Sequence, residues 1–454
     1  MKNLNIILYI FLLNPILNSC ENLLEVDLPN NQLTSAVVYN SDETAQAALL
    51  NIYGNLRDNG LFSGQMKGGT IVLGLYADEL NNVSTDFNLQ QINSLTHNSR
   101  NTSFSYLWSK SYEQLYMINF FIENIQLSQT ISTKNKEQFL GEAYTLRALI
   151  YLNLNQLFNE IPYVKSSDYK VNKLIKKNNQ SQINDFIESD LKLGESYFDK
   201  LPVLKDKSRI NRYSNYMVFS KYYLLNKQWD KALLYSSKII NSGDFKLNLN
   251  LDSEFNIASS SCIWSLDAST INGNTFIAQV FIPSSYPSTT VILNNEFVNE
   301  FENNDLRKTK WMNTVTNGTI TQYYPYKYKQ RSTTTNRIES LIIFRLSEVF
   351  LIRSEAYFNL NRTEESLNDL NLIRTRAGLV SIKNDEDIYL SILKERKFEL
   401  FAEFGTRLLD LKRTDKLGLL QNIKPNYKKH HAFFPIPENE ILLNPNLNPQ
   451  NDGY

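Results

Sequence analysis

The spacing of apolar positions changes several times along the chain, and each change predicts a different kind of element. From Asp42 onward, Ala45, Ala48, Leu49, Ile52, Tyr53 and Leu56 recur at helical spacing until Asp58, Asn59 and Gly60 break the pattern. Residues 60–102 are rich in Gly, Asn, Ser and Thr and read as long loops. Long helical patterns follow over about 103–127 and 134–158, and shorter ones over about 181–198, 212–227 and 230–242. Between 245 and 335, strand-like runs at 262–266, 276–282 and 322–329 alternate with Asn, Ser, Thr and Gly. Helical periodicity returns over about 340–360, 363–376 and 385–404, and a Pro- and Asn-rich coil begins at Lys424. The pattern predicts a mainly α fold with a loop-rich region that holds a few short strands.

Two of the helical pairs repeat one pattern. Ser220, Tyr223, Asp230, Ala232, Leu233 and Ile239 align with Ser354, Tyr357, Glu364, Ser366, Leu367 and Ile373. Each unit is a helix, a short turn and a second helix. The small residues let paired helices approach, and the Tyr is expected to fill the gap between them. This is the tetratricopeptide logic, in which units that cannot bury their apolar faces alone stack on one another.

The N-terminus follows a different rule. Lys2 precedes an apolar run from Leu4 to Leu17, interrupted by Asn14 and Pro15. The run is shorter than the roughly 20 apolar residues of a spanning helix, and residues 1–19 read as an export signal. Leu17, Ser19 and Cys20 resemble a bacterial lipobox. That resemblance implies cleavage before Cys20 and acylation of its thiol and new amine, an anchor built from several acyl chains. Residues 20–35 read as an extended tether, 36–244 as an N-terminal helical region, and 245–454 as a C-terminal region. The C-terminal region carries the loop and strand insertion at 245–335 and helices over 340–404.

Composition then removes some functions. Lys plus Arg and Asp plus Glu number 47 each, so nothing in the net charge favours nucleic acid, which is bound through an excess of Lys and Arg. A hydrophobic content of 42% supports a sizeable core. The only cysteines, Cys20 and Cys262, do not make a disulfide framework. Cys262, in a strand-like run, reads as a buried and unreactive thiol.

Four separated segments together resemble the SusD/RagB family. The first runs Gly141-Glu142-Ala143-Tyr144-Thr145-Leu146-Arg147-Ala148 and continues through Tyr151, Leu152, Gln156, Leu157, Phe158, Ile161 and Pro162. The second is Arg345-Leu346-Ser347-Glu348-Val349 with Glu355-Ala356, then Leu372-Ile373-Arg374-Thr375-Arg376-Ala377-Gly378-Leu379. The third is Leu393-Lys394-Glu395-Arg396-Lys397-Phe398-Glu399-Leu400, then Glu403-Phe404-Gly405-Thr406-Arg407 and Leu409-Asp410-Leu411-Lys412-Arg413. The fourth is Phe434-Pro435-Ile436-Pro437 with Glu440, Ile441, Asn444 and Pro445, ending at Gly453-Tyr454. The resemblance implies a tetratricopeptide-like scaffold on the bacterial outer membrane, facing the cell exterior. It also implies a SusC-like TonB-dependent channel as partner. Ligands in the family are mostly glycans, and peptides in the RagB branch. The expected function is therefore oligosaccharide or polysaccharide capture and delivery to the channel. Peptide uptake and a purely structural tetratricopeptide adaptor are the alternatives.

The best rival is a glycoside hydrolase. Glu395, Glu399 and Glu403 recur at one-turn spacing, which would bring carboxylates together. Arg396, Lys397 and Arg407 are interleaved with them, and ion pairing lowers carboxylate pKa values where a catalytic acid needs them raised. A charged, paired helix face is the reading adopted, and no enzyme is expected. No metal or cofactor is expected either: His97, His430 and His431 form no metal motif with Cys262, and the pair at 430 and 431 reads as a solvated Lys-rich turn. A sugar binder needs flat aromatic faces and amide or carboxylate groups on loops held by a rigid frame. Two loops offer them. One carries Tyr76, Asp78, Asn81, Asn82 and Phe87, and the other Asn274, Phe281 and Tyr286. Trp108 and Trp229 read as packing, whereas Trp264 and Trp311 are compatible with core or surface.

Overall fold

The computed structural model describes residues 38–270, 273–384 and 387–454. The export signal, the acylated Cys20 and the tether expected over 1–35 lie outside these residues. The N-terminal part consists of α1 (Asp42–Asp58), α2 (Gly69–Tyr76), α3 (Phe87–Ser94), α4 (Thr102–Leu127), α5 (Thr133–Phe158) and α6 (Gln180–Phe198). There follow α7 (Arg212–Leu225), α8 (Trp229–Ile240), α9 (Leu346–Asn359), α10 (Thr363–Arg376), α11 (Ile388–Glu399) and α12 (Thr406–Arg413), with shorter helical turns between and after them. Among the described residues, no helix is long and apolar enough to cross a membrane.

The central helix is α5. It is buried all round from Phe139 to Leu152, packed between α4 and α6. Two glycines permit that approach. A Cβ on Gly141 would meet the Phe198 ring at 2.8 Å, and one on Gly194 would meet Thr145 Oγ1 at 2.7 Å. A buried ion pair fixes the register: Arg147 donates to Asp190 from Nε at 2.8 Å and Nη2 at 2.6 Å, and from Nη1 to Asn119 of α4 at 2.9 Å.

The repeat units appear as the hairpins α7–α8 and α9–α10, stacked so that α8 packs on α9. Small residues set the second hairpin: Ser354 Oγ donates to the Ser366 carbonyl at 2.8 Å, and Ser366 Oγ to that of Ser354 at 2.7 Å. The aromatic positions are less alike than the alignment implies. Tyr223 is buried against Phe219 and Tyr235. Tyr357 is only partly buried and lies beneath Arg353 and Arg362.

Among the described residues, six short strands form three antiparallel pairs: β1 (Leu80–Asn82) with β3 (Val291–Leu293), β2 (Cys262–Leu266) with β6 (Leu341–Arg345), and β4 (Met312–Thr316) with β5 (Thr321–Pro325). Several expectations change here. The loops expected over 60–102 contain α2 and α3. The strand expected at 276–282 is a helical turn, capped by Thr275, whose Oγ1 accepts the Ala278 N–H. The helix expected from 340 starts at Leu346, because 341–345 is a strand buried on both faces. The helix expected to reach 404 ends at Glu399, beyond which Ala402 (φ 54°), Phe404 (φ 47°) and Gly405 (φ 73°) turn the chain left-handed. Trp108, Trp264 and Trp311 are all core, and Trp229 packs against it. Cys262 is buried, and burial pushes its thiol up to about 12.

Candidate functional site

The two candidate loops meet at one sheet edge. Asn81 faces Ile292 and Asn82 faces Val291 across β1 and β3, and the Val83 N–H extends the ladder to the Thr290 carbonyl at 3.1 Å. Beyond β1 the chain turns sharply. Asn82 Oδ1 accepts from Ser84 N–H at 3.1 Å and Ser84 Oγ at 2.7 Å. Asp86 then caps α3, accepting from Asn88 N–H at 2.9 Å and Leu89 N–H at 3.1 Å. Phe87 is the first residue of that capped helix and stands 67% exposed. From the other segment, the half-buried Tyr286 precedes Ser288, whose N–H donates to Gln322 Oε1 at 2.9 Å. That bond brings in β5 beside β3, with half-buried Gln322 and Tyr323. The sequence places these two only within a strand, and nothing in its pattern singles them out, since burial along 321–325 does not alternate.

The β1–β3 pair thus brings the segments of Asn81, Phe87 and Tyr286 to one sheet edge, while the Asn82 amide is taken up by Ser84 through both its oxygen and its nitrogen. The other four candidates are engaged elsewhere. Tyr76 is the last residue of α2, not a loop residue, and is fully buried. Its hydroxyl donates to the His431 carbonyl at 2.8 Å, and its ring packs on Phe434 and His97. Asp78 is buried beneath Arg407, which donates at 2.8 and 2.6 Å, with Lys397 at 3.5 Å. Burial alone would raise its carboxyl, but these cations outweigh burial and hold it at about 2. Phe281 is core. Asn274 ties two loops together, donating to the Ser332 carbonyl at 3.0 Å and accepting the Ile338 and Glu339 N–H groups at 3.2 Å. Neither a buried ring nor an amide with every hydrogen bond engaged is free to meet a ligand.

The carboxylates of the rival reading are also ion-paired, though with partners distant in sequence. Glu395, Glu399 and Glu403 are buried. Arg307 reaches Glu395 at 2.5 Å and Glu399 at 3.2 Å, Arg345 reaches Glu403 at 2.8 Å, and Lys327 reaches Glu403 at 2.5 Å. Arg345 and Arg376 both also pair with Glu399. Burial would raise the Glu399 carboxyl, but the three guanidiniums overcome it and hold the group well below the usual carboxylate range. Arg407 does not take the one-turn partner Glu403 but pairs with Asp78, and Arg396 pairs with Asp410 at 2.8 Å. The expected charged face is in fact a buried network that ties α11 to β6, to α10 and to the helical turn Leu306–Lys310. The His pair also departs from expectation: His431 is buried, and its ring lies 5.1 Å from that of His97.

Stacked helical hairpins carry the polar and aromatic sheet edge on a helical scaffold. The chain belongs to the SusD family, whose model matches residues 161–454. A second model, described as starch-binding associating with outer membrane, matches residues 34–224. The chain is similar to SusD-like protein P25 of Formosa agariphila, at 23% identity over 100% of each chain. In fold it is similar to a SusD superfamily protein from Bacteroides vulgatus (TM-score 0.80, 19% identity, 92% of this chain and 100% of that one). It is also similar to surface glycan-binding protein A from Bacteroides thetaiotaomicron in complex with laminarihexaose (TM-score 0.77, 19% identity, 90% and 99%).

Proposed function

We propose that this chain captures an oligosaccharide at the β1–β3 edge and passes it, without turnover, to a SusC-like TonB-dependent channel. One observation carries the reading: two segments far apart in sequence join through the Val83–Thr290 bond, which brings the segments of Asn81, Phe87 and Tyr286 to one sheet edge. Aromatic faces suit the C–H faces of a sugar ring, and amides suit its hydroxyls. The glycan complex of a protein with the same fold supports the ligand class. Acylation of Cys20 holds the protein at the outer membrane, where the second family description also points. Hydrolysis would need a carboxyl that reaches substrate, and Glu395, Glu399 and Glu403 are buried among cations.

Calorimetry against laminarin, other polysaccharides and peptides, with product analysis after long incubation, tests this. Saturable binding to a polysaccharide with no new reducing ends is expected. Binding to peptides alone would move the protein to peptide uptake, and released reducing ends that track with the pure protein would make it an enzyme.

A further inference from the structure

A polar recess shares no lining residue with the β1–β3 edge. It encloses about 660 Å³ where the end of α5, Lys177, the helical turn Lys429–Ala432 with Phe433, and the turn at 449–453 meet. These segments are fixed on one another before any ligand arrives. Lys177 Nζ donates to the Pro449 carbonyl at 2.6 Å. Asn451 Nδ2 donates to the Phe158 carbonyl at 2.9 Å and to that of Phe434 at 2.7 Å. Gln450 accepts the Ile436 N–H at 2.8 Å and donates to the Ile436 carbonyl at 2.7 Å. A Cβ on Gly453 would meet the His430 ring at 2.4 Å, so glycine is what lets that turn close on the histidine. A preformed concavity of this size suits a small ligand.

The groups left unengaged decide the ligand class. The Asn159 amide, the Lys429 ammonium and the Asp452 carboxylate line the recess, and none has a side-chain hydrogen bond or ion pair among the described residues. Glu160 has only Lys177 among them, at 3.8 Å. Burial and the charge of Lys428 lower the His430 imidazole, which is therefore neutral at pH 7 and offers one donor and one acceptor. One wall is aromatic. Phe433 is half-buried, and Lys412 Nζ lies 3.5 Å from its ring centroid while donating to the Gln156 carbonyl. That closes one face of the ring and leaves the other to the recess.

An anion in this recess would meet the carboxylates of Glu160 and Asp452, and a cation the ammonium groups of Lys177 and Lys429. An apolar side chain would leave all of them unmet. A neutral sugar avoids these conflicts. Its hydroxyls donate to Glu160 and Asp452 and accept from Lys429 and Asn159, and its C–H face suits the Phe433 ring. We propose that this recess is a second glycan site, which takes a short neutral stretch of oligosaccharide. It shares its ligand class with the β1–β3 edge but none of its residues, so each site stands or falls alone. Where one polysaccharide spans both, the second contact is intramolecular and avidity exceeds either affinity.

The test is calorimetry of the full chain with maltohexaose, cellohexaose and laminarihexaose, and with an oligogalacturonate as acidic control. Three variants accompany wild type: Glu160→Ala/Asp452→Ala in the recess, Phe87→Ala/Tyr286→Ala at the edge, and all four substitutions together. The Glu160 and Asp452 side chains reach solvent, and circular dichroism checks that each variant folds. Wild type is expected to bind two molecules of its best neutral hexasaccharide per chain, either double variant one, and the fourfold variant none. One molecule per chain in wild type, lost with the edge variant and bound at wild-type affinity by the recess variant, overturns the recess site and leaves the edge reading standing. One molecule per chain, lost with the recess variant and kept by the edge variant, upholds the recess and overturns the edge. Binding of oligogalacturonate alone, or of no probe by folded wild type, overturns the proposal.

Discussion

Val83 donates its backbone N–H to the carbonyl of Thr290 at 3.1 Å. The bond continues the β1–β3 ladder past its last paired residues, Asn82 and Val291. The candidate ligand surface therefore exists only once the insertion has docked on the N-terminal half. The ladder is short, and its position depends on the buried charges that hold the C-terminal helices beneath it.

Those buried charges give the first prediction. Glu399 pairs with Arg307, Arg345 and Arg376, and all four side chains are buried. Arg345→Ala should destabilise the fold by about 3–5 kcal/mol, because it leaves carboxylates buried with fewer cations. Urea denaturation monitored by tryptophan fluorescence measures the change. A loss below about 1 kcal/mol would mean that the network is open to water.

A second prediction separates the two repeat tyrosines. Tyr223 is buried between Phe219 and Tyr235, and its hydroxyl donates to Glu188 at 2.9 Å. Tyr223→Ala should cost about 3–5 kcal/mol. Tyr357 is only partly buried, so Tyr357→Ala should cost clearly less, about 1 kcal/mol. Thermal melts of the two variants side by side give the ordering, and equal losses would show that the hairpins pack alike after all.

Two sets of buried groups weaken the fold in acid. Burial and the charge of His431 and His430 hold His97 down to about 3, and burial with His430 and Lys428 holds His431 down to about 4. Unfolded histidines take up protons below about 6.5, where the folded ones refuse them, so their share of the stability falls as pH drops below that value. His97 alone gives a slope of about 1.4 kcal/mol per pH unit. The paired carboxylates behave differently. Asp78 and Asp410 are each held at about 2, so their contribution is complete above the usual carboxylate range and is lost only below about pH 4. Burial raises the Glu79 carboxyl to about 8, and its contribution runs the opposite way between about pH 8 and 4.5. The histidine part is therefore read as a difference of denaturation midpoints: His97→Phe should lose less stability than wild type between about pH 6.5 and 4.5. The same pH dependence in wild type and His97→Phe over that range would contradict a buried neutral His97.

The long helices were legible because their apolar stripes run for several turns and their caps are local. Asn101 before α4 and Ser132 before α5 accept the N–H groups of Ser103 and Asn135, as such residues do at helix starts. Short apolar runs were not legible. Residues 276–282 and 341–345 are both near-continuous apolar runs, and nothing in their period distinguishes the helical turn from the strand. The helix α2 is buried on all sides, so it has no amphipathic period. A Gly-flanked segment without a period reads as loop, and Tyr76 was placed on the surface for that reason. Ion pairing of the glutamates followed from the interleaved charges, but Arg307, Arg345 and Arg376 are supplied by tertiary packing. Likewise, the joining of Asn82 and Phe87 to the segment of Tyr286 depends on a strand pair that no local pattern encodes.

The central claim is that the β1–β3 edge holds the glycan. Phe87→Ala and Tyr286→Ala act on exposed or half-buried rings, so melting temperatures should stay near wild type. Each lost anchor should weaken binding by about 1–3 kcal/mol, roughly 5- to 150-fold. Contact through rings and amides also tolerates salt, so wild-type affinity should hold between low and high ionic strength. The deciding measurement is a calorimetric titration of the double variant Phe87→Ala/Tyr286→Ala with the polysaccharide that wild type binds best. The account predicts a folded protein that no longer binds. A folded double variant with wild-type affinity would place the glycan elsewhere on the molecule.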